Sequence, residues 1–302
     1  MRKIVIIFIA LILALPLLAA CEDTNDTDSL KVVTSFYVMD DFAKKIGGDK
    51  ASYICLVPPG GDAHHWEPST KDMVSLEKSD IFIYNGAGFE HWTEDVLDSL
   101  SNKNLIKIAT AKDVSLIERS GGSHGGHDPH TWLSPLNAKI QLKSIRDTFI
   151  LADPANKDYY QANYEVYAAK CDKLHDDFLL GLDSYEERAI VVSHRAFGYL
   201  AEEYDLEQIS IAGLSTEEEP SAARMAEIAD IVNERGIKVV FFEELVSPAI
   251  ANAIANETGA ETAVLSPVEG LTAAQTAEGA DYFSVMQDNL VAIIDALGKL
   301  NG

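Results

Sequence analysis

The chain has 302 residues, with 24 Lys and Arg against 48 Asp and Glu, a formal net charge of −24. So acidic a composition argues against nucleic acid as a partner and favours solubility and the attraction of cations. The length exceeds the usual single-domain size, so two lobes are the natural expectation.

Met1-Arg2-Lys3 gives a positive start, Ile4 to Ala20 is an uncharged apolar run, and the run ends in Leu18-Ala19-Ala20-Cys21. This order reads as a secretory signal peptide over residues 1–20. A cysteine directly after Leu-Ala-Ala resembles a bacterial lipobox, in which Cys21 is lipidated and becomes the new N-terminus. An uncleaved anchor is the alternative, because the run is nearly long enough to span a membrane. Glu22 to Asp28 is polar and acidic, as a flexible tether would be, so residues 21–30 read as a lipid-anchored tether. Beyond it, Cys55 and Cys171 occur in no CxxC spacing; they could pair in an oxidising compartment, but they read as two buried free thiols.

In residues 31–152, short apolar runs at 31–35, 52–57 and 81–85 predict strands, with helices at 37–46, 71–78 and 90–100 and another beginning near Pro135. Asp153 is placed to cap a helix with Pro154 at its first position. Residues 155–182 then run almost without a breaker, and Tyr160, Tyr164, Tyr167, Cys171, Leu174 and Phe178 form one stripe at helical spacing. A single helix of about 28 residues would be roughly 40 Å long, enough for a linking spine over residues 153–183. In residues 184–302, strands are expected at 189–193, 208–211, 237–242 and 262–265, and helices at 195–203, 222–234, 248–257 and 282–300. The alternation predicts an α/β fold: two lobes, 31–152 and 184–302, each with a mostly parallel sheet flanked by helices.

Histidine is scarce, with eight in the chain, yet three sit at strand ends or loops in unlike motifs: His64 in GDAHHWEPS, His130 in HDPHTWLSP and His194 in VVSHRAFGYL. Ligands of open α/β sheets gather beyond the carboxyl ends of strands, which is where His64 and His194 fall. The strand at 262–265 ends in SPVEG and offers Glu269 at an equivalent place. Three imidazoles and one carboxylate suit a tetrahedral zinc. Taken singly, a strand-end histidine is more often hydrogen-bonded structure than ligand; three at comparable junctions change those odds. His65 points away from His64 in an extended segment, His91 reads as a cap or packing group at a helix start, and His175 as an ordinary helix residue. Trp66, Trp132 and Phe197 read as packing that fixes ring orientation. The Gly/Ser stretch 120–127 carries His124 and His127 and reads as a flexible loop, either sampling metal weakly as an auxiliary site or simply solvated.

PPGGDAHHWEPS, DPHTWLSP, SHRAFGYL and SPVEGLT, in that order, together with GLSTEEEPSAARMAEI and FFEEL, resemble the metal-binding solute receptors of bacterial zinc/manganese ABC importers. The resemblance runs from about Val32 to the C-terminus. It implies two α/β lobes joined by one rigid helix, metal ligands at His64, His130, His194 and Glu269, and a lipoprotein on the extracytoplasmic face of the cell membrane. It also implies a monomer that binds Zn2+ and delivers it to an ABC permease. Manganese-type members of that family carry a carboxylate where His194 stands. Imidazoles there favour zinc, with a manganese or iron receptor as the alternative. A different class, a zinc hydrolase, would use the three histidines with an open fourth position and Glu269 as general base, but no HExxH or nucleophile motif accompanies it. Deleting Ser123–His127 is expected to leave high-affinity binding in place; loss of stoichiometric zinc by elemental analysis would make the loop part of the site.

Overall fold

The computed structural model of the protein describes residues 29–118, 126–214 and 220–302. The expected signal peptide, the lipid-bearing Cys21, nearly all of its tether and His124 lie outside the described residues. Among the described residues no helix is long and apolar enough to cross a membrane.

The first half alternates β1 (Leu30–Thr34), α1 (Tyr37–Gly47), β2 (Ala51–Cys55), α2 (Thr70–Glu77), β3 (Ile81–Tyr84), α3 (Thr93–Ser99), β4 (Ile106–Ala109) and α4 (Pro135–Ala152). Then comes α5 (Lys157–Leu182). The second half runs β5 (Ala189–Val192), α6 (Gly198–Tyr204), β6 (Glu207–Ser210), α7 (Ala222–Arg235), β7 (Val239–Phe242), α8 (Ala249–Thr258), β8 (Glu261–Val264), α9 (Ala273–Glu278) and α10 (Tyr282–Asn301). The strand orders are β2-β1-β3-β4 and β6-β5-β7-β8, and every pairing is parallel. In each sheet the chain crosses first to one side of its opening strand and then to the other. That reversal makes a crevice beyond the carboxyl ends of the strands. Central strands β3 and β5 are almost wholly apolar, as strands covered on both faces must be: Ile81, Phe82 and Ile83 are buried, as are all four residues of β5.

The expected α/β architecture with its linking helix is the one observed. Four local differences have physical causes. The short edge strand β4 buries only Ile108 fully, so its pattern is too weak to stand out from the sequence. The long helix begins one turn later than expected and has 26 residues. Asp153 does not cap it, because its carboxylate accepts hydrogen bonds from Asn156 Nδ2 at 2.6 Å and Tyr160 OH at 2.7 Å, while residues 154–156 form a 3-10 turn. Helix α6 starts at Gly198 rather than Arg195, since the Arg195 and Phe197 amides donate to Gly213 O and Gln208 Oε1 instead. Helix α3 starts at Thr93 because Glu90 is drawn inward, accepting from Ser35 Oγ, Asn85 N and Gly86 N.

Along α5 the buried residues are Tyr160, Ala168, Cys171, Leu174, Phe178 and Leu182. Tyr164 and Tyr167 of the expected stripe are half-buried, with Arg146 4.6 Å from the Tyr164 ring centre and Lys45 5.4 Å from that of Tyr167. The helix packs on α4 and α1 on one side and on α10 on the other. One apolar core therefore runs through both halves, taking in Phe42, Trp132 and Phe149, then Phe178, then Phe241 and Tyr282. Lys45 reinforces it, bridging Asp41 at 2.7 Å and Asp281 at 2.9 Å across the two halves. Cys171 is a buried free thiol as expected, whereas Cys55, at the end of β2, is free but only half-buried. Burial pushes both thiols up to about 12, so neither is a thiolate near neutrality.

Candidate metal centre

Each of the four residues is delivered by a strand end or by a loop braced against one. After β2 the chain turns at Pro58–Gly61, where the Gly61 amide donates to Pro58 O and Gly60 takes a φ of 75°. The His64 amide donates to Asp62 Oδ1 at 2.9 Å, and its ring lies 4.9 Å from that of Phe89. His130 sits just before a 3-10 turn, Thr131–Leu133, and both its amide and its Nδ1 meet Asp128 Oδ1, at 3.0 and 2.9 Å. A buried polar knot holds that loop. Asn85 Nδ2 donates to Pro129 O at 2.9 Å, and Asn85 Oδ1 accepts from Thr131 Oγ1 and Gln141 Nε2, each at 2.8 Å. His194 comes two residues beyond the end of β5, with its Nδ1 2.5 Å from Oε1 of Glu243, which follows β7. Glu269 comes five residues beyond the end of β8.

These four residues converge, with one ligand atom from each lying within 4.8 Å of all the others. The Nε2 atoms of His64 and His130 are 3.4 Å apart, as are those of His130 and His194. Glu269 Oε1 is 3.0, 3.4 and 4.0 Å from Nε2 of His64, His130 and His194. A tetrahedron with bonds of about 2.05 Å, the zinc range, has edges of about 3.3 Å. The spacing is therefore that of a tetrahedral shell around a small cation. The histidines are 0–2% exposed.

The electrostatics point the same way. Nδ1–H groups donated to Asp128 and Glu243 would leave the Nε2 lone pairs of His130 and His194 facing one another and the Glu269 carboxylate. Such a cluster needs a positive charge at its centre. Burial works against a charged His130, but Asp128 and Glu269 overcome it and push its pKa up to about 9. Burial likewise opposes an ionised Glu269, yet His64 and His130 hold it well below the usual carboxylate range. A cavity of 280 Å³ lined by Asp62, Glu243, Glu244 and Glu269 adjoins the centre, giving an acidic approach for a cation.

The other described histidines stand apart from the cluster. His65 Nδ1 meets Asp62 at the surface, His91 is exposed and 3.7 Å from Glu67 rather than packed at a helix start, and His175 bonds Tyr204 OH. His127 pairs with Glu118 in an isolated antiparallel bridge. Trp132 lies 5.5 Å from the His130 ring, as orientation by packing requires, and Phe197 is buried; Trp66 packs instead on Trp92. Sequence reading passed over Phe89, Asp128 and Glu243. A signal existed for Asp128, because Asp two residues before His is the spacing of an Asx-turn. Glu243 lies in FFEEL, directly after the strand expected at 237–242, but its partner is 49 residues away and no local pattern links the two.

Outer partners of metal ligands fix imidazole tautomer and orientation, and losing one typically weakens binding about 10- to 100-fold. Asp128→Asn and Glu243→Gln are each expected to lower Zn(II) affinity by that factor with the fold intact. Titration calorimetry on metal-stripped protein measures it, and unchanged affinity would show that the imidazoles keep their orientation unaided.

Comparison with known proteins is consistent with this geometry. A family model described as zinc-uptake complex component A, periplasmic, matches residues 32–296. The high-affinity zinc uptake system protein ZnuA of Bacillus subtilis (strain 168) is 36% identical over 299 residues, covering 93% of this chain and 94% of that protein. The zinc-binding lipoprotein AdcA of Streptococcus pneumoniae is 37% identical over 288 residues, 91% of this chain but only 58% of that longer relative. The crystal structure of the Zn(II)-bound ZnuA-like domain of Streptococcus pneumoniae AdcA matches with a TM-score of 0.79 at 36% identity, covering 89% of this chain and 99% of that one. With a family model spanning most of its length and a relative matched almost end to end, the chain belongs to the ZnuA family of zinc-uptake components.

Proposed function

We propose that this chain is an extracytoplasmic zinc receptor, held to the membrane by lipid on Cys21, that captures Zn(II) and delivers it to the permease of an ABC-type importer. His64, His130, His194 and Glu269 are the ligands, and the single observation that carries the reading is their convergence at tetrahedral spacing. The relatives support it: the Bacillus subtilis protein is named for high-affinity zinc uptake and the Streptococcus pneumoniae one is a zinc-binding lipoprotein. The chain divides into lobes 31–152 and 184–302 with the linker 153–183, acts as a monomer, and places the metal between its lobes. Because one core runs through both lobes and the spine, loading moves them little compared with hinge-closing receptors.

This is a transport binding protein and not an enzyme. A hydrolytic zinc needs an open fourth position, and here the Glu269 oxygen lies at the fourth vertex, 3.0 Å from His64 Nε2. A manganese or iron receptor is the weaker alternative, since three imidazoles against one carboxylate favour zinc over harder ions.

Elemental analysis of protein purified without chelator, followed by zinc–manganese competition, tests the assignment directly. His194→Ala should weaken zinc binding by more than the roughly 100-fold upper range for outer partners, with circular dichroism unchanged; calorimetric affinity equal to wild type would remove His194 from the ligand set. The pH dependence has a definite sign. With His130 pushed up to about 9, the metal-free centre holds a proton at neutral pH that zinc must displace. Apparent affinity should therefore fall as pH falls, with release of about one proton per zinc near pH 7. Calorimetry in buffers of different ionisation enthalpy reads that proton, and binding without proton release would contradict it.

A further inference from the structure

Glu269, five residues beyond the end of β8, is placed by the loop that leaves the strand. It rides on the arch Ser266–Glu269, and that arch is pinned at every residue before the ligand. The Ser266 amide donates to Asn289 Oδ1 at 2.8 Å, and Asn289 Nδ2 donates back to Ser266 O at 2.7 Å. The Val268 amide donates to Ser266 Oγ at 3.2 Å. Val268 itself is fully buried with a φ of 58°, a left-handed conformation that a β-branched residue adopts only when its surroundings impose it.

The remaining tie crosses between the lobes. Trp132 Nε1 donates to Pro267 O at 2.7 Å, and Tyr282 OH donates to Trp132 O at 2.7 Å. Trp132 is fully buried, with its ring 5.0 Å from Phe36 and 5.1 Å from Phe89, so it has no freedom to follow a moving arch. Trp132 is two residues beyond His130, and Pro267 is two residues before Glu269. One buried hydrogen bond thus couples the backbone carrying a ligand of the first lobe to the backbone carrying the only ligand that is an oxygen.

We propose that Trp132 is a positioning residue for metal selectivity: through Pro267 it holds the Glu269 arch at the one distance where a single carboxylate oxygen closes a tetrahedron on the three imidazoles. The inference rests on the zinc-receptor reading above and names how that same site discriminates. Zinc is content with four ligands, whereas manganese prefers a larger, oxygen-rich shell. To serve such a shell, Glu269 would have to swing toward two-oxygen coordination and the imidazoles would have to spread. An arch locked at Ser266, Pro267 and Val268 resists that movement, so rigidity here penalises the larger ion and preserves the compact shell that zinc takes. The selectivity therefore lies in an indole N–H that touches no metal.

The test uses the mature protein, stripped of metal, titrated with Zn(II), Mn(II) and Co(II). Trp132→Phe removes the donor and keeps an aromatic ring; Ser266→Ala loosens the arch from its other end with a small change in volume. Zn(II) affinity is expected to fall about 10- to 100-fold in Trp132→Phe, with Mn(II) affinity held or raised, so that the zinc-to-manganese ratio narrows. The intense visible absorption of tetrahedral Co(II) should weaken, and Ser266→Ala should shift both readouts the same way by less. A mere packing role would lower the melting temperature and leave the ratio and the Co(II) spectrum as in wild type, and that result overturns the proposal. If Trp132→Phe does not fold, Ser266→Ala decides on the same two readouts. The underlying assignment fails separately: wild-type protein that takes up no stoichiometric zinc, or Glu269→Ala with wild-type zinc affinity, would refute the receptor site itself. Wild-type uptake together with a loss in Glu269→Ala leaves only the role of Trp132 in question.

Discussion

Three imidazole nitrogens and a carboxylate oxygen held within 4.8 Å of one another in a buried cleft repel one another through their lone pairs unless a cation or a proton stands between them. Left to themselves, such side chains would turn away toward water. The fold has to supply the restraint, and much of its polar interior does so. Asp128 and Glu243 hold two imidazoles by their far nitrogens. Asn85, Thr131 and Gln141 lock the loop that carries His130, and Asn289 locks the strand exit that leads to Glu269. Buried polar groups of this kind add little net stability, but each would be costly to leave unpaired, so together they specify one arrangement.

The same restraint bears on how the two sheets are joined. A centre whose ligands come from both sheets stays intact only if the sheets keep their relation. The shared apolar core, the α5 spine and the Lys45 bridge to Asp281 provide that relation from behind the cleft. Such a preorganised site binds without the ordering cost that a closing hinge would impose.

Much of this was legible in the sequence, and what was hidden follows a pattern. His64 and His194 could be placed because parallel α/β sheets put loops at strand ends, and strand runs such as Ile81–Phe82–Ile83 announce themselves by composition. Glu269 was readable for the same reason, from the strand before it. The start of α5 was misplaced because Asp153 had a choice of partners, and local pattern cannot reveal that Tyr160 OH would claim its carboxylate. Glu243 and the Trp132 indole escaped for a stronger reason: their roles lie in contacts with residues 49 and 135 positions away, which no periodicity encodes. Ligand identity is thus written in motifs, while ligand geometry is written in tertiary contacts.

Tight capture creates a problem that the receptor cannot solve alone. A rigid, buried, four-ligand centre gives slow release, and a binding partner can lower its affinity only by favouring a conformation in which the shell is broken. Three of the ligands are poor places to break it, since His64, His130 and His194 are 0–2% exposed. Glu269 differs: its side chain is 10% exposed, and it lines both the acidic cavity and a second cavity on its other side that reaches Tyr37 and Cys55. The Val268 backbone beside it is held in a left-handed conformation by its buried surroundings. The vertex that completes the tetrahedron is therefore also the least buried of the four, and the hydrogen bonds that pin its arch keep it in place.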